Sequence, residues 1–272
     1  MTEHYDDESN IRIYGHEAHD GMGKAGKLAG EVLDYITPFV KTGVSTGELD
    51  KLMHEFIVEH GAVPAPLNYR GFPNATCISI NHVVCHGIPS FDRVLKATDT
   101  INIDTTVILD GWYGDTSRMY FADESKAPIK ANKLVQATYE CLWRGIEMVK
   151  PGNTFGDIGH AIQEHAEEVG YGVVRDFVGH GIGRAFHESP NVFHFGKAAS
   201  GATLKEGMMF TIEPMINVGN ADTKVLADGW TSVTRDKSLS AQAEHTLIVT
   251  ADGYKVFTES QVGLHQPPYK VG

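Results

Sequence analysis

Residues 102–117, NIDTTVILDGWYGDTS, carry two aspartates, Asp104 and Asp115, on either side of an Asp110-Gly111 pair. Asp-Gly between β-branched and aromatic runs is a strong signal for a two-residue hairpin turn, and strand side chains alternate between faces with period two. A turn centred on Asp110-Gly111 sets Asp104 opposite Ser117 and Asp115 opposite Thr106, all on one face, with the aspartates diagonal neighbours roughly 7–8 Å apart at the backbone. A one-residue slip would send them to opposite faces, and the pair alone also fits two solvated strand-end carboxylates. The second half of the chain offers partners. VGHGIGRAFHESP holds His180 and His187 among glycines that leave the imidazoles accessible, FTIEPMI puts Glu213 inside an apolar strand, and AEHTLIV does the same with Glu244. A carboxylate so placed either faces water at a strand end or is paired inside, because an unpaired buried charge is costly.

Four carboxylates converging on one pocket repel unless some stay protonated, whereas two divalent cations balance their formal charge. Asp104, Asp115, His180, Glu213 and Glu244 therefore read together as ligands of a dinuclear metal site. Hard oxygens with one imidazole suit Co, Mn, Fe or Zn at a catalytic centre, and the lack of thiolates argues against structural zinc. Carboxylate-bridged metals lie ~3.5–4 Å apart in two-metal hydrolases, aminopeptidases among them.

Helices and strands have to bring these residues together. Leu28, Val32, Leu33 and Ile36 recur at helical spacing within residues 17–40, ahead of a Thr42-Gly43 break, and further helices are predicted over GELDKLMHEFIVEHG, KANKLVQATYECLWRGIEMVKPG and FGDIGHAIQEHAEEVG. Residues 75–121 and 173–257 read as short strands punctuated by Gly and Pro. Compared with itself, VKTGVSTGELDKLMHEFIVEHG (40–61) aligns with VKPGNTFGDIGHAIQEHAEEVG (149–170) at a constant offset of 109, with Leu49 and Met53 matching Ile158 and Ile162. Two amphipathic helices can align apolar and acidic positions by pattern alone, but the coincident flanking glycines argue for two related halves about a pseudo-two-fold axis. The expected class is α+β, with antiparallel sheet covered by helices, and ligand sites favour the interface between such halves.

Composition bounds the function. The 272 residues are 42% hydrophobic and 21% charged, as in a soluble globular protein, and no apolar run approaches the ~20 residues that cross a bilayer. The start, MTEHYDDESN, is acidic where a signal peptide would be basic and then apolar, so the cytoplasm is expected. Cys77, Cys85 and Cys141 form no C-x-x-C pair and read as reduced thiols. A net charge of -12 argues against DNA or an anionic membrane as a partner.

The strings VVCHGIP, NIDTTVILDGWYGDTS, GHGIGRAFHESP, MFTIEPMI and SLSAQAEHTLIVT resemble, in order and spacing, the motifs of bacterial-like type I methionine aminopeptidases, dinuclear metal enzymes with the pita-bread (creatinase/aminopeptidase) fold. The resemblance runs over residues 12–258, which it implies to be a single catalytic domain between an N-terminal tail, 1–11, and a loose C-terminal tail, 259–272. It implies two divalent metal ions held by Asp104, Asp115, His180, Glu213 and Glu244, with Asp115 and Glu244 bridging. Glu213 becomes the general base, and His86 and His187 become catalytic histidines that contact substrate. Tyr69, Phe72, Cys77, Phe186 and Trp230 fall where the family lines its methionine pocket. Pro66 and Arg70 at the rim depart from what related enzymes often carry, which leaves preference beyond methionine open. The span from His187 to Glu213 is too short for the helical insertion of type II enzymes, and a zinc-binding N-terminal extension is not expected. The implied activity is removal of the initiator methionine from nascent polypeptide N-termini when the second residue is small, by a monomer, with the ribosome as a candidate meeting place. Two rivals share the fold: an Xaa-Pro aminopeptidase or prolidase, which usually adds a long N-terminal domain, and a non-catalytic pita-bread protein binding a peptide, histone or RNA, in which the ligands have usually eroded.

Overall fold

The computed structural model describes residues 3–269. Helix α1 (Glu17–Ile36) buries Met22, Leu28, Val32, Leu33 and Ile36 along one stripe and then tightens into a 3-10 turn, Thr37–Phe39, short of residue 40. Pro38 in that turn has no N–H to continue an α-helical ladder. Helices α2 (Thr46–Glu59), α3 (Ile129–Glu147) and α4 (Phe155–Glu168) lie where the apolar periodicity places them.

The repeat seen in the sequence extends to the backbone. Glu48 accepts the N–H of Ser45 at the start of α2, and Asp157, 109 residues on, accepts the N–H of Thr154 at the start of α4. Gly43 and Gly152 hold φ values of +91° and +92°, which an L side chain rarely adopts, and their N–H groups donate to Leu95 O and Leu204 O. Single β-bridges join Ser45 to Val94 and Thr154 to Thr203. Asp104 and Glu213 stand at the same spacing, Asp104 within the strand that begins at Thr100 and Glu213 one residue past the end of the strand Met209–Ile212.

All strand pairs are antiparallel, as expected. In the first half Thr100–Leu109 is flanked by Val63–Pro64 and Cys77–Ile80 and forms a hairpin with Trp112–Phe121. In the second, Gly179–Gly181, Met209–Ile212 and His245–Val249 are the inner strands of a five-stranded sheet. One core packs Leu33, Leu49, Met53, Ile101 and Ile103 around α1 and α2, and another packs Leu134, Leu142, Ile158, Ile162, Phe210 and Leu247 around α3 and α4. Each such fully buried side chain contributes roughly 1.5–3 kcal/mol. The halves are stitched together where the hairpin meets the five-stranded sheet: Ser117 bridges Glu244, Thr116 Oγ1 donates to Glu244 O at 2.8 Å, and Thr246 Oγ1 donates to Asp115 O at 2.7 Å.

Three expectations change. Glu213 does not sit within a continuous strand, because the ladder stops at Ile212 and resumes at Met215, and Pro214 cannot donate to it. Glu244 likewise falls between the strands Ser240–Gln242 and His245–Val249. The described part of the C-terminal segment is not loose: Leu264 is buried, Gln261 N–H donates to Asp34 Oδ2 at 2.8 Å, and the Tyr269 ring packs 5.5 Å from that of Tyr120. At the other end His4–Tyr5 pairs with Arg12–Ile13, and Lys205 Nζ reaches Asp6 at 2.6 Å. Residues 1–2 and 270–272 of the expected tails lie outside the described residues.

Candidate active site

The Asp110-Gly111 turn has the expected register: Asp104 faces Ser117 and Thr106 faces Asp115. Cys77, on the strand flanking Thr100–Leu109, pairs with Asp104 from the other side. His180 sits in Gly179–Gly181, where close approach demands both glycines: a Cβ on Gly179 would lie 2.5 Å from Thr211 O, and one on Gly181 would lie 2.1 Å from Ser189 O. The imidazole Nδ1 lies 3.0 Å from Gly181 O. A carbonyl can only accept, so Nδ1 carries the hydrogen and Nε2 is left free toward the carboxylates.

That Nε2 is 3.5 Å from Asp115 Oδ2 and 3.7 Å from Glu213 Oε1. Ligand atoms of Asp115, His180 and Glu244, all buried, lie within 4.8 Å of one another. Thr106 Oγ1 donates to Asp115 Oδ1 at 2.6 Å, leaving Oδ2 to face His180. Glu213 is held through both oxygens, by Thr211 Oγ1 at 2.7 Å and Gln242 Nε2 at 3.2 Å, and its backbone N–H donates to His194 Nε2 at 3.1 Å.

The electrostatics of this cluster are unfavourable without cations. Desolvation, with Asp115 and Glu213 adding repulsion, raises Asp104 well above the carboxylate range. Desolvation and then Asp115, Glu213 and Asp104 do the same to Glu244. Glu213 is pushed up to about 7 by desolvation, against the opposing pull of His180. Burial pulls His180 down, but Asp115 and Glu213 outweigh it and raise it. The donor set, carboxylate oxygens with one imidazole nitrogen aimed at them, fits divalent cations.

All twelve candidate residues border one cavity of about 600 Å³. Asp115, His180 and Glu244 form its tightest group, Glu213 adjoins through His180, and Asp104 lines the same cavity. Aromatic rings flank the carboxylates in two groups. Phe72 meets Trp230 edge-on at 5.2 Å, and His86 meets Trp230 at 6.0 Å and Phe177 at 5.4 Å. Tyr69 packs on Phe186 at 4.8 Å and stacks on His187 at 5.4 Å, with its hydroxyl 3.0 Å from His187 Nδ1. Burial lowers His86, and burial aided by nearby His180 takes His187 down to about 4, so both imidazoles are neutral near pH 7. Cys77 stays a thiol, because desolvation and then Asp104 raise it well above the ordinary thiol value.

Thr211, Gln242, His194 and Phe177 also shape the site and are not among the residues singled out by sequence, where Thr106 appears only as the residue facing Asp115. Register gives Thr106 as the residue facing Asp115, and period-two alternation could have offered Thr211 beside Glu213 and Gln242 beside Glu244. Nothing local marks His194.

The model of metallopeptidase family M24 matches residues 20–251. A methionine aminopeptidase of Rickettsia prowazekii is 57% identical over 95% of this chain and 99% of its own length, and the methionine aminopeptidase of Escherichia coli is 50% identical over 91% of this chain and 94% of its own. The crystal structure of the Rickettsia prowazekii protein superposes with a TM-score of 0.89, covering 91% of this chain and 99% of that one. A prolidase from Pyrococcus horikoshii shares the fold at TM-score 0.71 and 20% identity, covering 92% of this chain but 64% of the prolidase.

Proposed function

The chain belongs to metallopeptidase family M24, among its type I methionine aminopeptidases with the pita-bread fold, and from that premise we propose how its residues remove an N-terminal methionine. The enzyme is a metal-dependent hydrolase of the peptide bond that follows the methionine. The observation that carries the assignment of roles is the convergence of buried Asp115, Glu213 and Glu244 on His180, with Asp104 lining the same cavity and adding to their repulsion, a charge arrangement that divalent cations relieve. In our reading these five residues would hold the cations. When bound, the cations lower the pKa of a water toward neutrality and polarise the scissile carbonyl.

Glu213 accepts a proton from the attacking water and returns it to the leaving amine. Thr211 and Gln242 fix the direction of its two oxygens. His187, neutral and oriented by the Tyr69 hydroxyl on Nδ1, offers its other ring nitrogen as a donor to the oxygen of the scissile carbonyl. His86, held between Trp230 and Phe177, faces the scissile amide.

Phe72, Cys77, Trp230, Tyr69 and Phe186 make a slot of rings and one thiol. An unbranched thioether gains sulfur–aromatic contacts of ~0.3–1.5 kcal/mol in such a slot. A bulky second residue near His86 and His187 would move the carbonyl out of attacking geometry, so a small one is favoured. The substrates are nascent polypeptide N-termini, and we place the encounter in the cytoplasm, on or near the ribosome, with the protein acting as a monomer. No helix among the described residues is long and apolar enough to cross a membrane. Hydrolysis of Met-Ala-Ser against Leu-Ala-Ser, Met-Leu-Ser and N-acetyl-Met-Ala-Ser tests this reading. Met-Ala-Ser should be cleaved far faster than the other three, and a preference for Xaa-Pro peptides would favour a prolidase-like specificity instead.

A further inference from the structure

Among the described residues Arg70 is the one lysine or arginine that lines the catalytic cavity, and the mechanism above leaves it unused. It is exposed, held at φ +49° in the turn Asn68-Tyr69-Arg70-Gly71, and its guanidinium lies over the Tyr69 ring at 5.3 Å. No hydrogen bond or ion pair engages that guanidinium among the described residues. The other charged groups at the mouth are engaged. Glu188 accepts from Arg12 Nη1, Tyr14 Oη and Ala185 N–H, and Asp176 accepts from Thr223 Oγ1.

Three contacts order the wall outward from the carboxylates. The His180 and His187 rings are 4.3 Å apart, His187 and Tyr69 are 5.4 Å apart, and Arg70 follows Tyr69 at 5.3 Å. With His187 beside the scissile carbonyl, Arg70 stands further out by the thickness of the Tyr69 ring and its own contact. An extended peptide advances about 3.3–3.6 Å per residue, which brings the residue after the small second one within reach of the guanidinium. A carboxylate there meets a planar fork of unused N–H donors.

We propose that Arg70 reads substrate charge downstream of the scissile bond and favours an acidic side chain at the third residue; this rests on the aminopeptidase reading above. The test is kcat/KM of the metal-loaded full chain on Met-Ala-Asp-Gly, Met-Ala-Asn-Gly and Met-Ala-Lys-Gly, for the natural sequence, Arg70→Gln and Arg70→Lys. The natural sequence should prefer Asp over Asn by about two- to fivefold, the range of an exposed ion pair, and Asp over Lys by more. Both ratios should fall toward one in Arg70→Gln and at about 0.5 M salt, where such pairs are screened, and largely return in Arg70→Lys. Because each ratio compares substrates on one protein, a change in folded fraction cancels. Ratios of one in the natural sequence, or ratios unmoved by Arg70→Gln, overturn the role of Arg70 and leave the aminopeptidase reading intact. Failure to cleave any of the three peptides overturns both.

Discussion

Removing the metal should make the protein progressively less stable relative to the loaded form as pH rises, and the structure sets the size of the effect. In the cation-free chain Glu213 titrates at about 7 instead of 4.5, so the folded state binds a proton that the unfolded state releases across that window. A carboxylate with a raised folded value contributes stability at low pH that is lost as pH climbs through the folded value. At about 1.4 kcal/mol per pKa unit this amounts to roughly 3 kcal/mol for Glu213 alone. Asp104 and Glu244 are displaced in the same direction and add to it, and raised His180 has to lose its proton before Nε2 can ligate. Buried neutral histidines work the other way: His194 and His245, each down at about 3 through burial, lose their contribution as pH falls. They behave alike with and without metal, so the difference between loaded and chelated protein isolates the carboxylate cluster. For a chain of this size 1 kcal/mol corresponds to about 2–4 °C, so the Tm difference between Mn-saturated and EDTA-treated protein should widen by roughly 6–12 °C from pH 5 to pH 8. A Tm difference that is flat or shrinking over that range would refute the placement of cations among these carboxylates.

Glu213→Gln should keep a native circular dichroism spectrum and lower kcat by roughly 10²–10⁴, the share of a general base; a rate within a few-fold of normal would remove Glu213 from proton transfer. Thr106→Val deletes the hydroxyl that donates to Asp115 Oδ1 at 2.6 Å and should weaken metal affinity by about 10–100-fold, read by metal titration of the activity, with kcat at saturating metal much less affected. Asp34→Ala leaves Arg118 buried without the carboxylate now 2.7 Å away, and urea denaturation should show a loss of roughly 3–5 kcal/mol with kcat on Met-Ala-Ser retained in the folded fraction.

Those parts of the site that obey a period were legible from residue types. Alternation and the Asp-Gly turn were enough to face Asp104 with Ser117 and Asp115 with Thr106, because a hairpin register is decided by its turn. The repeat was legible because helix starts use short-range chemistry, a capping carboxylate and a left-handed glycine, that recurs at fixed spacing. What escaped depends on long-range packing. Glu213 looked like a strand residue by its apolar neighbours, yet Pro214 ends the ladder beside it. His194 contacts Glu213 only because the intervening chain doubles back, and no local pattern announces such a contact. Tyr269 covers Arg118 at 5.3 Å from a segment without periodicity, which reads as tail until its one aromatic finds a buried cation.

The most direct measurement is metal content and turnover on one preparation: the purified protein is stripped with chelator, assayed on Met-Ala-Ser, and titrated with Co, Mn, Fe or Zn while bound metal is counted. The account predicts negligible cleavage by the stripped protein, recovery as divalent ions bind up to two per chain, and a recovery at least about 100-fold weaker in Glu213→Gln. Full turnover of Met-Ala-Ser by protein in which no metal is detected would contradict it.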